Sequence, residues 1–109
     1  MSIKPSDIWT AMIGAARDSL GNDWSEVRTF AEPELKRLAR TLLDIGKLTA
    51  AGEISEAEAR ALLRIHRNTT QMVFLTARGM SLLAVENAIN AALAAARSPL
   101  NATLGIALL

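Results

Sequence analysis

The sequence predicts an all-α fold, a helical bundle made of an antiparallel helical hairpin with a long apolar C-terminal helix, plus an N-terminal helix. Apolar residues recur at intervals of three and four through most of the chain, as on the buried face of a helix. Alanine and leucine dominate, and aromatic residues make up only 4%, which favours helix over strand. No long segment alternates as a strand does. We therefore expect one helical domain over residues 1–109.

The first helix is predicted over residues 6–20. Ser6 can cap its N-terminus, and Gly21 ends it because glycine accepts left-handed backbone angles. We expect Trp9, together with Trp24 of the next helix, to anchor the core between the first two helices. The apolar face of the first helix consists of Ile8, Trp9, Met12, Ile13, Ala16 and Leu20.

A second helix is predicted over residues 23–51. Asp23 and Glu26 have the spacing of a capping box, with aspartate in the serine position. An apolar stripe follows, and Gly52 closes the helix. Pro33 lies inside the stripe and lacks a backbone donor, so we expect a kink or a restart there.

A third helix has the clearest start signal, because Ser55 and Glu58 form a capping box before an apolar run. The helical pattern continues over residues 55–97, about 65 Å at 1.5 Å per residue. Gly79 is its one weak position, and a break there is the alternative. The apolar tail over residues 98–109 is expected to dock on the core or on a neighbouring subunit.

The connection between the second and third helices is about three residues long, around 52–54. A connection that short makes the two helices antiparallel neighbours. This hairpin is the most direct tertiary prediction that the sequence supports.

The third helix is apolar on nearly every side between residues 72 and 96, and a helix of that kind is buried on every side. A chain of about 100 residues has a radius of gyration of roughly 13 Å, so it cannot enclose a helix of 65 Å. We therefore expect a homo-oligomer, with a heteromeric partner or a compact monomer as alternatives. The expected interface residues are Met72, Leu75, Arg78, Gly79, Leu82, Glu86, Ile89, Asn90 and Leu93.

Two lone opposite charges in this apolar stretch suggest a specific contact. Arg78 and Glu86 lie at equal distances on either side of Leu82. If two copies of the helix cross antiparallel about a two-fold axis at Leu82, each Arg78 faces Glu86 of the other copy. Asparagines in the same apolar faces can fix the register of such a contact; these are Asn68, Asn87 and Asn90. The alternative is that the two charges and the asparagines form a thin stripe that faces water.

An alternative function is nucleic-acid association through a basic strip on the hairpin. Acidic residues interleave with this strip, and no aromatic residue stands among the bases to stack on nucleobases. We therefore favour a solvated, mutually paired surface. The strip consists of Lys36, Arg37, Arg40, Lys47, Arg60, Arg64 and Arg67.

Membrane docking by residues 72–109 is a further alternative. A spanning helix needs about 20 predominantly apolar residues. Every such window here contains Glu86 with two asparagines, or else Arg78, and a central charge opposes insertion. Spanning is therefore not expected, although peripheral contact remains open.

Motifs for catalysis or metal binding are missing from the sequence. The absence of cysteine excludes disulfides, thiolate nucleophiles and cysteine metal sites. His66 is the single histidine, and Leu63 occupies the position where a Glu-x-x-His metal pair needs glutamate. No phosphate-binding glycine loop is present. We expect no catalytic residue, no cofactor and no metal ion.

The most economical interpretation is a non-enzymatic homo-oligomeric helical assembly or scaffold module. The opening MSIKPSDIWT lacks the basic start and apolar run of a signal peptide, so we expect a cytoplasmic protein. For its origin, we expect a bacterium or a phage. The net charge of +1 favours neither nucleic acid nor membrane as a partner.

Overall fold

Helices account for all regular structure in the residues that the computed structural model describes, 4–77 and 79–104. The all-α prediction is confirmed. A single 3-10 turn, Gly21–Asp23, separates the first two helices. The helices are α1 (Pro5–Leu20), α2 (Trp24–Ala50), α3 (Glu56–Leu75) and α4 (Leu82–Leu104).

The antiparallel hairpin of α2 and α3 is present. Ile45 and Ala59 pack together near the turn, and Thr70 of α3 bonds to Glu34 farther from it. These two contacts show that α2 and α3 run antiparallel. Gly52 has a φ of 76° in the turn, a left-handed conformation that glycine adopts without strain.

The caps predicted at the helix N-termini are present only in part. The capping box of α3 forms as predicted, since the Ser55 side chain accepts from the Glu58 N–H and the Glu58 carboxylate accepts from the Ser55 N–H. The cap at Ser6 is wrong, because α1 already begins at Pro5, a residue suited to the first helical position. The Asp23 cap is also wrong, because its side chain makes no cap hydrogen bond.

Pro33 does not restart the second helix, which runs unbroken through it. The residue is exposed, as is Thr29 four positions earlier. The carbonyl that proline leaves without a helical donor is therefore close to solvent, which lowers the free-energy cost of the missing hydrogen bond.

The continuous helix predicted over residues 55–97 is wrong. The helix stops at Leu75, and the next begins at Leu82. Gly79 lies in the connection with a φ of 78°, outside the helical region. The break lets α4 fold back on α1, which is its most extensive partner. Five α4 residues that the longer helix would have left uncovered are buried there: Val85, Ala88, Ile89, Ala92 and Ala96.

The tail boundary at residue 98 also changes. The last helix continues through Pro99 to Leu104, and Leu100 belongs to the core. Residues 105–109 lie outside the described residues, so the prediction for that part of the tail stays a prediction.

One core joins all four helices. α1 contacts both α2 and α4, α2 also contacts α3, and α4 touches α2 and α3. The radius of gyration is 13.6 Å, as expected for a single chain of this size. Trp9 and Trp24 pack at the edge of this core and remain half-buried. The largest fully buried side chains are Phe74, Ile8, Met12, Leu35, Leu38, Leu42, Ile89 and Leu100.

Candidate functional site

Large apolar side chains are exposed on α3 and on the first turn of α4. Isolated exposed apolar residues are common on proteins, but exposed apolar patches mark interaction sites. The exposed fractions are 57% for Ile65, 70% for Met72, 38% for Leu75, 51% for Leu82 and 67% for Leu83. This group is the strongest candidate for a functional surface among the described residues.

The α3 residues of this group lie on one line, which we call the α3 seam. Its members follow one another at intervals of four, three, four and three residues, the spacing that places side chains along one helix–helix contact. All five are exposed. The α3 seam consists of Ala61, Ile65, Asn68, Met72 and Leu75.

The opposite side of α3 packs into the molecule. Ala59, Thr70 and Phe74 have no exposed surface, and Leu63 packs against the core. The helix therefore has two apolar lines, one covered by its own chain and one facing solvent. Sequence analysis missed this distinction, although the spacing of the seam residues was visible in the sequence.

A polar cluster fastens α3 to α2. Arg37 Nη2 lies 2.6 Å from Glu34 Oε1, and Thr70 Oγ1 donates to the same oxygen at 2.9 Å. The hydrogen bond to Glu34 raises the pKa of Arg37 despite partial burial of the guanidinium. His66 Nδ1 lies 3.4 Å from Arg37 Nη1. These contacts hold the seam in a defined orientation on the hairpin.

The predicted interface residues separate into several environments. Met72, Leu75 and Leu82 are exposed, as an interface requires. Ile89 is wrong as an exposed interface residue, because it is fully buried inside its own chain. Leu93 is partly buried against the same core. The reason is the break before α4, which turns that helix inward.

The polar members of the predicted interface also differ in position. Asn90 Oδ1 accepts a hydrogen bond from Arg67, and Glu86 is half-buried. Gly79 lies in the connection between helices, and Arg78 lies outside the described residues. Leu82 begins a helix instead of standing in the middle of one. The two-fold crossing of continuous helices at Leu82 is therefore wrong.

The predicted basic strip does not present seven free cations on one surface. Arg37 is directed between α2 and α3. Lys36 Nζ lies 5.4 Å and Arg40 Cζ 4.9 Å from the centroid of the Trp9 ring, on the α1 side of α2. An aromatic residue thus does stand among these bases. Sequence analysis missed it because Trp9 lies on the preceding helix, far from Lys36 and Arg40 along the chain.

The remaining members of the strip lie on or near α3. Arg60 lies 3.6 Å from the Glu56 carboxylate in an exposed pair, and Arg67 is bonded to Asn90. Lys47 and Arg64 are exposed. The cations therefore divide between two sides of the hairpin, and several are already paired.

Two shallow concavities adjoin on the surface of α2, and the smaller one extends to α1. The larger, of about 540 Å³, is lined by Arg28, Glu32 and Lys36 among others, and the smaller, of about 330 Å³, by Trp9 and the same Glu32 and Lys36. Arg28 already lies 3.3 Å from Glu32. These paired charges and open shapes give no basis for assigning a ligand.

Within residues 4–77 and 79–104, no group of three or more histidine, cysteine, aspartate or glutamate residues is arranged to hold a metal ion. In the same ranges, no helix has the length and apolar character needed to cross a bilayer. Comparison with protein-family models, with curated proteins and with solved structures finds no match for this chain.

Proposed function

We propose that this chain is a non-enzymatic helical module that assembles with further copies of itself through the α3 seam and the first turn of α4. The single observation that carries the proposal is the exposure of Ile65, Met72, Leu75, Leu82 and Leu83. Burying apolar surface contributes about 25 cal/mol per Å², so covering these side chains favours association.

Self-assembly through this surface does not require a long third helix. The apolar arm beyond residue 82 is covered by α1 of the same chain, so it needs no second molecule. The solvent-exposed apolar surface lies instead on α3, which α2 holds in place through the hydrogen bond between Thr70 and Glu34. A rigid, preformed helix face loses little conformational entropy when it binds.

Nucleic-acid association has weaker support. Arg37, Arg60 and Arg67 already contact polar side chains of the same protein, and the Trp9 ring is covered by Lys36 and Arg40. A nucleic acid would have to displace these contacts before it could use the same groups.

Light scattering after size exclusion, over low micromolar to near-millimolar concentration, tests the proposal. We expect the wild-type mass to exceed the 11.7 kDa of one chain and to fall on dilution. Met72→Lys should shift the mass to that of one chain, because it places a charge in the apolar seam. Thr29→Lys, the same charge change at an exposed α2 position, should assemble as wild type does. A wild-type mass of one chain at every concentration would overturn the proposal.

A further inference from the structure

We propose that two copies pair through the α3 seam in antiparallel orientation, with a two-fold axis passing beside Asn68. This inference rests on the proposed self-assembly and adds the partner geometry. Two-fold interfaces are the commonest in homo-oligomers, and they require a surface that is complementary to itself. The α3 seam has that property about its central residue.

The seam residues are nearly symmetric about Asn68. Ala61 and Leu75 each lie seven residues from it, while Ile65 lies three before and Met72 four after. In an antiparallel pair, Ala61 therefore faces Leu75 of the second copy, and Ile65 faces Met72. The Ala61–Leu75 layers then combine a small with a large side chain, and the Ile65–Met72 layers combine two side chains of similar volume. A parallel pair would place alanine against alanine and leave a gap there.

Asn68 selects this register over shifted ones. Its amide is both a donor and an acceptor, so two Asn68 side chains that meet at the axis can exchange two hydrogen bonds. A shift by one layer would place each amide against an apolar side chain and leave it without a hydrogen-bond partner, which is unfavourable. A polar residue in an apolar seam is a known way to fix register.

The charges near the seam also favour the antiparallel pair. Glu58 precedes Ala61 by three residues on the same side of α3, so a parallel pair would bring two Glu58 carboxylates together. The antiparallel pair separates them by about 30 Å along the helix axis at 1.5 Å per residue. It also places Arg64 beside Gln71 of the second copy, which is a polar contact without like charges.

Disulfide cross-linking tests the geometry directly, because the chain has no cysteine of its own. A disulfide forms only where Cα atoms approach within about 7 Å. Asn68→Cys should yield a covalent dimer under mild oxidation. Ala61→Cys mixed with Leu75→Cys should yield the mixed dimer, and Ala61→Cys alone should not link. Thr29→Cys, exposed on α2, is the control for random collision and should stay monomeric.

The possible outcomes separate the two proposals. A covalent dimer of Ala61→Cys with itself indicates a parallel pair, and preferential linking of Ala61→Cys with Met72→Cys indicates a shifted register. Either result overturns the antiparallel pair but leaves self-assembly standing. The same holds if Asn68→Cys does not cross-link while the wild-type protein still self-associates. If the wild-type protein has the mass of one chain at every concentration, the proposed self-assembly is wrong, and the proposed antiparallel pair is wrong as well.

Discussion

Arg37 and Glu34 form an ion pair one turn apart on α2, with Arg37 Nη2 2.6 Å from Glu34 Oε1. Thr70, which has no exposed surface, donates to the same carboxylate from α3. The Glu34 side chain is only 11% exposed, so this carboxylate depends on its protein partners for hydrogen bonds. Through its hydrogen bond with Thr70, the Glu34 carboxylate links the two arms of the hairpin and fixes their register.

Arg37→Met should destabilise the fold by about 1–3 kcal/mol, because a little-exposed carboxylate loses a charged donor. The free energy of unfolding in urea measures the change. Arg60→Met is the matched control, since Arg60 pairs with Glu56 at an exposed position and such pairs contribute about 0–1 kcal/mol. Equal losses in the two variants would contradict a specific role for the Glu34 cluster.

The sign of the change in unfolding free energy caused by Gly79→Ala distinguishes the broken helix from a continuous one. Gly79 has a φ of 78°, where a side chain costs about 1–2 kcal/mol, so alanine should lower the unfolding free energy. In a continuous helix, alanine would raise it by about 1 kcal/mol.

Gly14→Ala supplies the reference for that measurement. Gly14 lies inside α1, and an added Cβ would meet only the end of the Arg17 side chain at 3.9 Å. Alanine should stabilise there by about 1 kcal/mol or less. If both glycine variants are stabilised, the connection at Gly79 is helical and the break is refuted.

Glu58→Gln should flatten the dependence of stability on pH. The backbone hydrogen bond from Ser55 is the main cause that lowers the pKa of Glu58 from its ordinary 4.5, with the Ser55 side chain second. A lowered pKa in the folded state adds stability above the ordinary pKa, and this stability is lost as the pH falls through the folded-state pKa. Glutamine keeps the acceptor oxygen without the charge.

Thermal unfolding of both proteins from about pH 6 to pH 3 measures this effect. Wild type should be the more stable at the upper end, and the two should converge as Glu58 becomes protonated. A constant difference across the range would mean that the carboxylate charge contributes nothing at the start of α3.

Local signals in the sequence predicted the first two helices and the hairpin. Gly21, Gly52 and the Ser55 capping box act within a few residues of where they stand, so a pattern of neighbours is enough to place them. Ser6 was displaced as a cap because Pro5 offers an equally local signal one residue earlier. Errors of this kind stay within a turn of helix.

The break at Gly79 could not be predicted in the same way. The cost of glycine inside a helix is only about 1 kcal/mol, which does not decide between a weak helix and a turn. The decision comes from burial of Ile89 and Leu100 against α1, which lies in the opposite half of the chain. Sequence periodicity records that these residues are apolar, but not which element covers them.

The same limit applies to the candidate surface. Leu63 and Ile65 are two apolar residues on one helix, yet Leu63 packs on the core and Ile65 is 57% exposed. Their spacing alone places them on different sides of α3. Only the positions of α2 and α4 determine which side is covered and which remains available to a partner.

Ile89→Ala tests whether α4 packs within its own chain. Ile89 is fully buried, and truncation of such a side chain costs about 2–5 kcal/mol, whatever the protein concentration. Leu83→Ala is the matched control on the same helix, because Leu83 is 67% exposed; its effect should stay within about 0.5 kcal/mol in dilute protein. If instead the loss at Ile89 disappears on dilution, this residue is covered by a second molecule and the fold of one chain does not include α4.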